Sequence, residues 1–121
     1  MLEVRSWSFA AVLAIGALGC ASAPKPEARI ASSEGAIRGA EEAGANSVPE
    51  ATLHVKLAQE QRQQALTLIK DGGDNHRAEM ILARSEADAE LAVALAREAA
   101  AKADAARARE AVDALKQKEA P

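Results

Sequence analysis

The sequence predicts an all-α fold: an extended three-helix arrangement with a long, Ala-rich C-terminal helix in a coiled-coil-like hairpin. Three observations carry this. From Asp74 to Lys118 there is neither Gly nor Pro, so nothing interrupts a helix. Apolar residues there and in the preceding segment recur at three- and four-residue spacing, the period of an amphipathic helix. The third observation is an absence. There is no Tyr, and the only Trp and Phe are Trp7 and Phe9 near the N-terminus. Large rings are a major source of buried area. Without them the chain relies on Ala, the strongest helix former, and favours slender helices over a thick core.

The first nineteen residues read differently. Met1 to Ser8 carry one base, Arg5, and one acid, Glu3, and Phe9 to Leu18 are uncharged and nearly all apolar. That run is about half of the roughly twenty residues a bilayer crossing needs. It suits the apolar stretch of an export leader, with small residues near the cut. It ends in Ala17-Leu18-Gly19-Cys20, and Cys20 is the only cysteine. A lone free thiol in a secreted chain is otherwise awkward. The expected organisation is a leader at 1–19, a tether at 20–26 marked by Pro24 and Pro26, and a helical domain at 27–118. Its helices are expected at about 27–43, 48–71 and 75–118.

In the first helix Ile30 and Ile37 lie one heptad apart, and Glu34 with Arg38 makes a favourable i,i+4 pair. Gly35 and Gly39 each weaken the helix by about 1 kcal/mol relative to Ala and are expected to flatten one face for close packing. Gly44 supplies a C-terminal stop. The second helix is expected to open on a capping box of Ser47 and Glu50, with Pro49 tolerated in the first turn. Leu53, Leu57, Ala58, Ala65, Leu68 and Ile69 form its expected apolar side, and Gln59, Gln61, Arg62, Gln63 and Gln64 its exposed side. Asp71-Gly72-Gly73-Asp74 ends it.

Asp74 or Asn75 is expected to cap the third helix, which would run roughly 65 Å. Ile81 and Leu82 are assigned to face the second helix. Ala87, Leu91, Ala94, Ala101, Ala105, Ala108, Val112 and Leu115 trace one seam, interrupted at Glu98. Glu98–Lys102 and Arg109–Asp113 are expected i,i+4 pairs. From about Ala99 onward no other part of the chain is long enough to cover this helix. Ala101, Ala105, Ala108, Val112 and Leu115 are therefore the candidate contact stripe for a partner protein or for self-association.

Candidate chemistry is sparse. A zinc site needs about four suitable ligands, and the mature chain offers only His54 and His76 with no thiol to spare. His76 reads as a solvated turn residue and His54 as decoration of its helix. Asp71-Gly72-Gly73-Asp74-Asn75 is too short for a calcium loop. No phosphate-binding glycine loop or nucleophile elbow is present. Ser32 and Ser33 have no plausible base beside them. The net charge of -3 with mixed signs gives no basic excess for nucleic acid. No catalytic residue, metal or cofactor is assigned.

The leader and its cysteine resemble a bacterial lipoprotein signal; the alternative is an ordinary secretory leader followed by a chance cysteine. The resemblance implies that Cys20 becomes the mature N-terminus, bears a diacylglyceryl thioether and holds the chain on a membrane. Ala21, in place of an Asp there, implies the outer membrane. The mature chain resembles the domain-of-unknown-function 4398 family of envelope proteins. The residues that carry this are Cys20, Pro24-Lys25-Pro26-Glu27, Val48-Pro49-Glu50-Ala51, the Ala65–Gly72 run, Ala78-Glu79 and the Ala83–Ala92 run. It implies a periplasmic helical domain and no known catalytic residue. Some relatives precede an OmpA-like peptidoglycan-binding domain, which this chain is expected to lack. The expected function is a lipid-anchored periplasmic interaction or structural module. The alternative is a peptidoglycan- or small-ligand-binding envelope module.

Overall fold

The computed structural model describes residues 24–119, and these form three α-helices: α1 (Glu27–Glu42), α2 (Pro49–Lys70) and α3 (Asn75–Glu119). A 3₁₀ turn at Ala45–Ser47 joins α1 to α2. No strand occurs among the described residues. The leader (1–19) and Cys20 lie outside them.

The chain reverses twice. Gly44 ends α1 at φ +83°, and its N–H reaches the Glu41 carbonyl at 3.0 Å. Such a positive φ suits glycine, which has no Cβ to clash. The expected Ser47–Glu50 box does not form. Ser47 falls inside the 3₁₀ turn, and extended Val48 occupies the cap position without a side-chain cap. Thr52 Oγ1 instead donates to the carbonyls of Ala45 (3.1 Å) and Val48 (3.0 Å), tying the turn to the first turn of α2. Pro49 supplies the first helical residue, where a missing N–H leaves nothing unsatisfied. At the second reversal Gly72 has φ +71°. Gly73 sits so close to α2 that a Cβ there would meet the Leu68 side chain and lie 2.9 Å from its carbonyl oxygen. Asp74 then caps α3, accepting from the backbone N–H groups of His76 (2.9 Å) and Arg77 (3.2 Å).

Packing follows one rule in all three helices. The buried positions of α3 are Ala78, Leu82, Ser85, Ala89, Ala92 and Ala96, an unbroken alternation of four and three residues. In α2, Ala51, Val55, Ala58 and Ala65 are buried, and in α1, Ser33 and Ala40. Nearly all are small, so the backbones can approach closely. Ser85 records that approach: from α3 its Oγ donates to the backbone carbonyl of Ala58 in α2 at 2.7 Å.

Two apolar clusters fill the bundle. One joins Ala40, Ala45, Ala51, Val55, Ala92 and Ala96 at the α1–α2 turn. The other joins Ala65, Ala78 and Leu82, with Ile30, Leu68, Ile69 and Ile81 against them, at the α2–α3 turn. Ile30 near the start of α1 thus meets the start of α3, so these two helices run parallel and α2 antiparallel to both. α1 rests mainly on α3.

Several expectations need correction. Gly35 and Gly39 flatten no interface, since a Cβ at either would meet nothing within 4 Å. Leu53 is 55 % exposed; its place on the buried side of α2 is taken by Ala51 and Val55. Gln61 and Arg62, expected on the solvated side, are half-buried and reach to other helices. Ala87, Leu91 and Ala94 are exposed. Ile81 and Leu82 do pack against α2 as expected, but from Ser85 onward the buried row of α3 runs opposite the Ala87, Leu91 and Ala94 row.

Candidate interaction surface

The bundle is held at its rim by polar links. Arg29 and Ser32 of α1 converge on Glu86 of α3, with Arg29 Nη1 at 2.9 Å and Ser32 Oγ at 2.6 Å. The Ser32 hydroxyl, and then the nearby guanidinium, hold the Glu86 carboxyl below the usual carboxylate range despite partial desolvation. Arg62 Nη2 reaches Glu34 at 2.8 Å, and Gln59 Nε2 reaches Glu41 at 3.0 Å, joining α2 to α1. Glu34 also accepts from Arg38 at 3.2 Å, as expected from their spacing.

Between α2 and α3 lies a polar cluster that sequence reasoning missed. His54 Nδ1 stands 2.9 Å from Asp88 Oδ1, and Gln61 Nε2 donates to Asp88 Oδ2 at 2.7 Å. His54 therefore does not simply decorate its helix. His54 and Gln61 share a helix face seven residues apart, but their partner is 34 and 27 residues downstream. Nothing local in the sequence signals that pairing. The cluster holds two helices together, and among the described residues no group of His, Cys, Asp and Glu is arranged to bind a metal ion.

Beyond Ala96, the last buried residue, α3 leaves the bundle. Residues 100–119 are all exposed. This distal arm is helical because its sequence is Ala-rich and uninterrupted. Local ion pairs add to it: Glu98 with Lys102 at 2.6 Å, and Arg107 with Asp104. The hydrogen bond from Lys102 lowers the Glu98 carboxyl from its ordinary value, and the same bond raises the Lys102 ammonium. The expected Arg109–Asp113 pair does not form; the arm's second pair is Arg107–Asp104.

The structure brings Ala101, Ala105, Ala108, Val112 and Leu115 onto one exposed line of this arm. At 3.6 residues per turn, Val112 lies about 160° around the helix from Ala96, so the line runs opposite the seam that α1 and α2 cover. Followed back towards the bundle, the same line passes Ala94, Leu91, Ala87 and Met80. Of the five exposed large apolar side chains among the described residues, Met80, Leu91, Val112 and Leu115 all lie on it; Leu53 is the fifth. Among the described residues, no helix is long and apolar enough to cross a membrane.

Comparison with known proteins returned nothing: no family model, curated protein or solved structure matches the chain.

Proposed function

We propose that this chain is a lipid-anchored periplasmic module that acts by contact, presenting the outer line of α3 to a protein partner in the cell envelope. One observation carries the reading. Twenty consecutive residues of one helix, 100–119, are all exposed, yet Val112 and Leu115 stand among them at 48 % and 61 % exposure on a single line. An arm built only to be solvated has no use for a continuous apolar line. The leader pattern ending in Cys20 supports the anchor. Each buried methylene adds about 0.8 kcal/mol, and two or more acyl chains make attachment durable. The tether enters α1 at the end of the bundle that holds the Gly72–Gly73 turn, and the arm extends from the opposite end. Anchoring at Cys20 would thus place the contact line far from the lipid.

Two experiments test the proposal. Cys20→Ser should move the protein from the membrane to the soluble fraction on cell fractionation; a variant that stays with the membrane removes the anchor. A photo-crosslinker at Ala105, on the outer line, should yield adducts in intact cells, whereas one at Ala103, on the other face, should not. Equal labelling from both positions argues against a directed surface, and pull-down of the protein by purified sacculi favours a cell-wall-binding module.

A further inference from the structure

We infer that the outer line of the distal arm is shaped for an amphipathic helix of a partner protein whose own apolar seam is bordered by carboxylates, and not for a second copy of this chain. The inference rests on the arm being a contact surface and adds the chemistry of what it contacts. The charges beside the line decide the matter. On one flank Lys102, Arg109 and Lys116 follow one another at seven-residue intervals. On the other stand Arg97 and Lys118, with Asp104 between them. Glu98 and Glu119 close the line at its two ends, and Glu98 is held by Lys102. The remaining acids of the arm, Glu110 and Asp113, lie towards the opposite face. The apolar line is thus walled mainly by cations. Favourable interaction with the helix C-terminus accounts for bases in the last turn, but Arg97, Lys102 and Arg109 lie well before it.

A second copy meets these walls with the same sign. Paired antiparallel along the line, Lys102 faces Arg109 of the other copy and Arg97 faces Lys118. Paired parallel, Arg97 faces Lys102, and Asp104 with Arg109 is the one complementary pair. Charges flanking a helical seam select partners in this way, because like charges across it are repulsive. A helix with glutamates or aspartates along its border satisfies Arg109 and Lys116, and adds to the pair that Lys102 already makes with Glu98. The contact residues also set its seam. Ala101, Ala105 and Ala108 leave room for large side chains from the partner, while Val112 and Leu115 project and call for small ones.

The test uses the full chain in detergent and two synthetic amphipathic helices. They share a leucine seam, and one is bordered by glutamates, the other by lysines. Fluorescence anisotropy should show the glutamate peptide binding at least about tenfold more tightly, with the difference shrinking as salt screens it. Exchanging Lys102, Arg109 and Lys116 for Glu should reverse the preference, and Leu115→Asp should weaken both peptides. Lys102→Glu also breaks the pair with Glu98, so circular dichroism should report a small loss of helix content in the triple variant, and exchanging only Arg109 and Lys116 should shift the preference in the same direction without it. Equal affinity for the two peptides, no binding of either, or a preference untouched by the triple exchange overturns the inference. Dimerisation of the unaltered chain in sedimentation, lost in Leu115→Asp, overturns it in favour of a second copy. If the peptides fail while Ala105 still crosslinks in cells, the contact surface stands and the charge assignment falls; loss of the crosslinks removes the surface itself.

Discussion

At the scale of single residues, the fold depends on small side chains and very few large ones. Among the described residues Leu82 is the largest fully buried side chain, and Ser33 and Ser85 come next. Leu82→Ala should therefore cost about 2–5 kcal/mol, the usual range for emptying a leucine site, and chemical denaturation with circular dichroism would measure it. A loss below about 1 kcal/mol would mean that the α2–α3 cluster contributes little. Glu86 gives a prediction in pH. Its carboxyl is held below the ordinary range by Ser32 and Arg29, so the folded state takes up its proton less readily than the unfolded state. The stability this supplies is fully present above about pH 4.3, the ordinary glutamate value, and is lost as pH falls through the lower folded value. Glu86→Gln should remove that part of the acid dependence while leaving the rest; an unaltered pH profile would show that the α1–α3 link contributes nothing.

At the scale of elements, α3 is two structures in one helix. Its first half is fixed by burial and its second half by propensity and local ion pairs alone. Ending the chain after Ala100 removes no buried residue, so the melting midpoint of the remainder should stay within a few degrees. Hydrogen exchange should divide the same way, with amides beyond Ala100 exchanging faster than those between Ala78 and Ala96, since uncovered helix opens locally. Uniform protection along α3 would contradict this division. The helices themselves were legible in the sequence to within a residue or two, because Gly44, Gly72 and Gly73 punctuate them and no breaker follows. The covered face of α3 was not. Ala87 and Ala94 are chemically identical to Ala89 and Ala96, so apolar periodicity cannot tell which row of methyl groups is buried. The marks that separate the rows are Ser85, whose hydroxyl needs the Ala58 carbonyl, and Leu82. Both have meaning only once α2 is in place. The stripe from Ala101 to Leu115 was legible because α1 and α2 are too short to cover it. The His54–Gln61–Asp88 cluster was hidden because its members meet only across two helices.

At the scale of the whole molecule, length is the dominant property. A 45-residue helix is about 68 Å long, whereas a compact chain of similar size has a radius of gyration near 12–13 Å. Small-angle scattering of the folded domain should report a maximum dimension of about 70 Å and a radius of gyration well above the compact value; a compact profile would mean that the arm folds back on the bundle. The mechanical consequence of this shape follows from the uninterrupted backbone of α3. The portion gripped by α1 and α2 and the portion outside are nearly equal in length, each about 33 Å. With no hinge residue between them, the helix is a lever whose two arms match. A sideways pull at Leu115 is carried along the helix to the clamp, where it loads first the contacts nearest the exit, Ala92 and Ala96 against Ala40, Ala45, Ala51 and Val55. Occupancy at the tip can thus be felt as strain at the base.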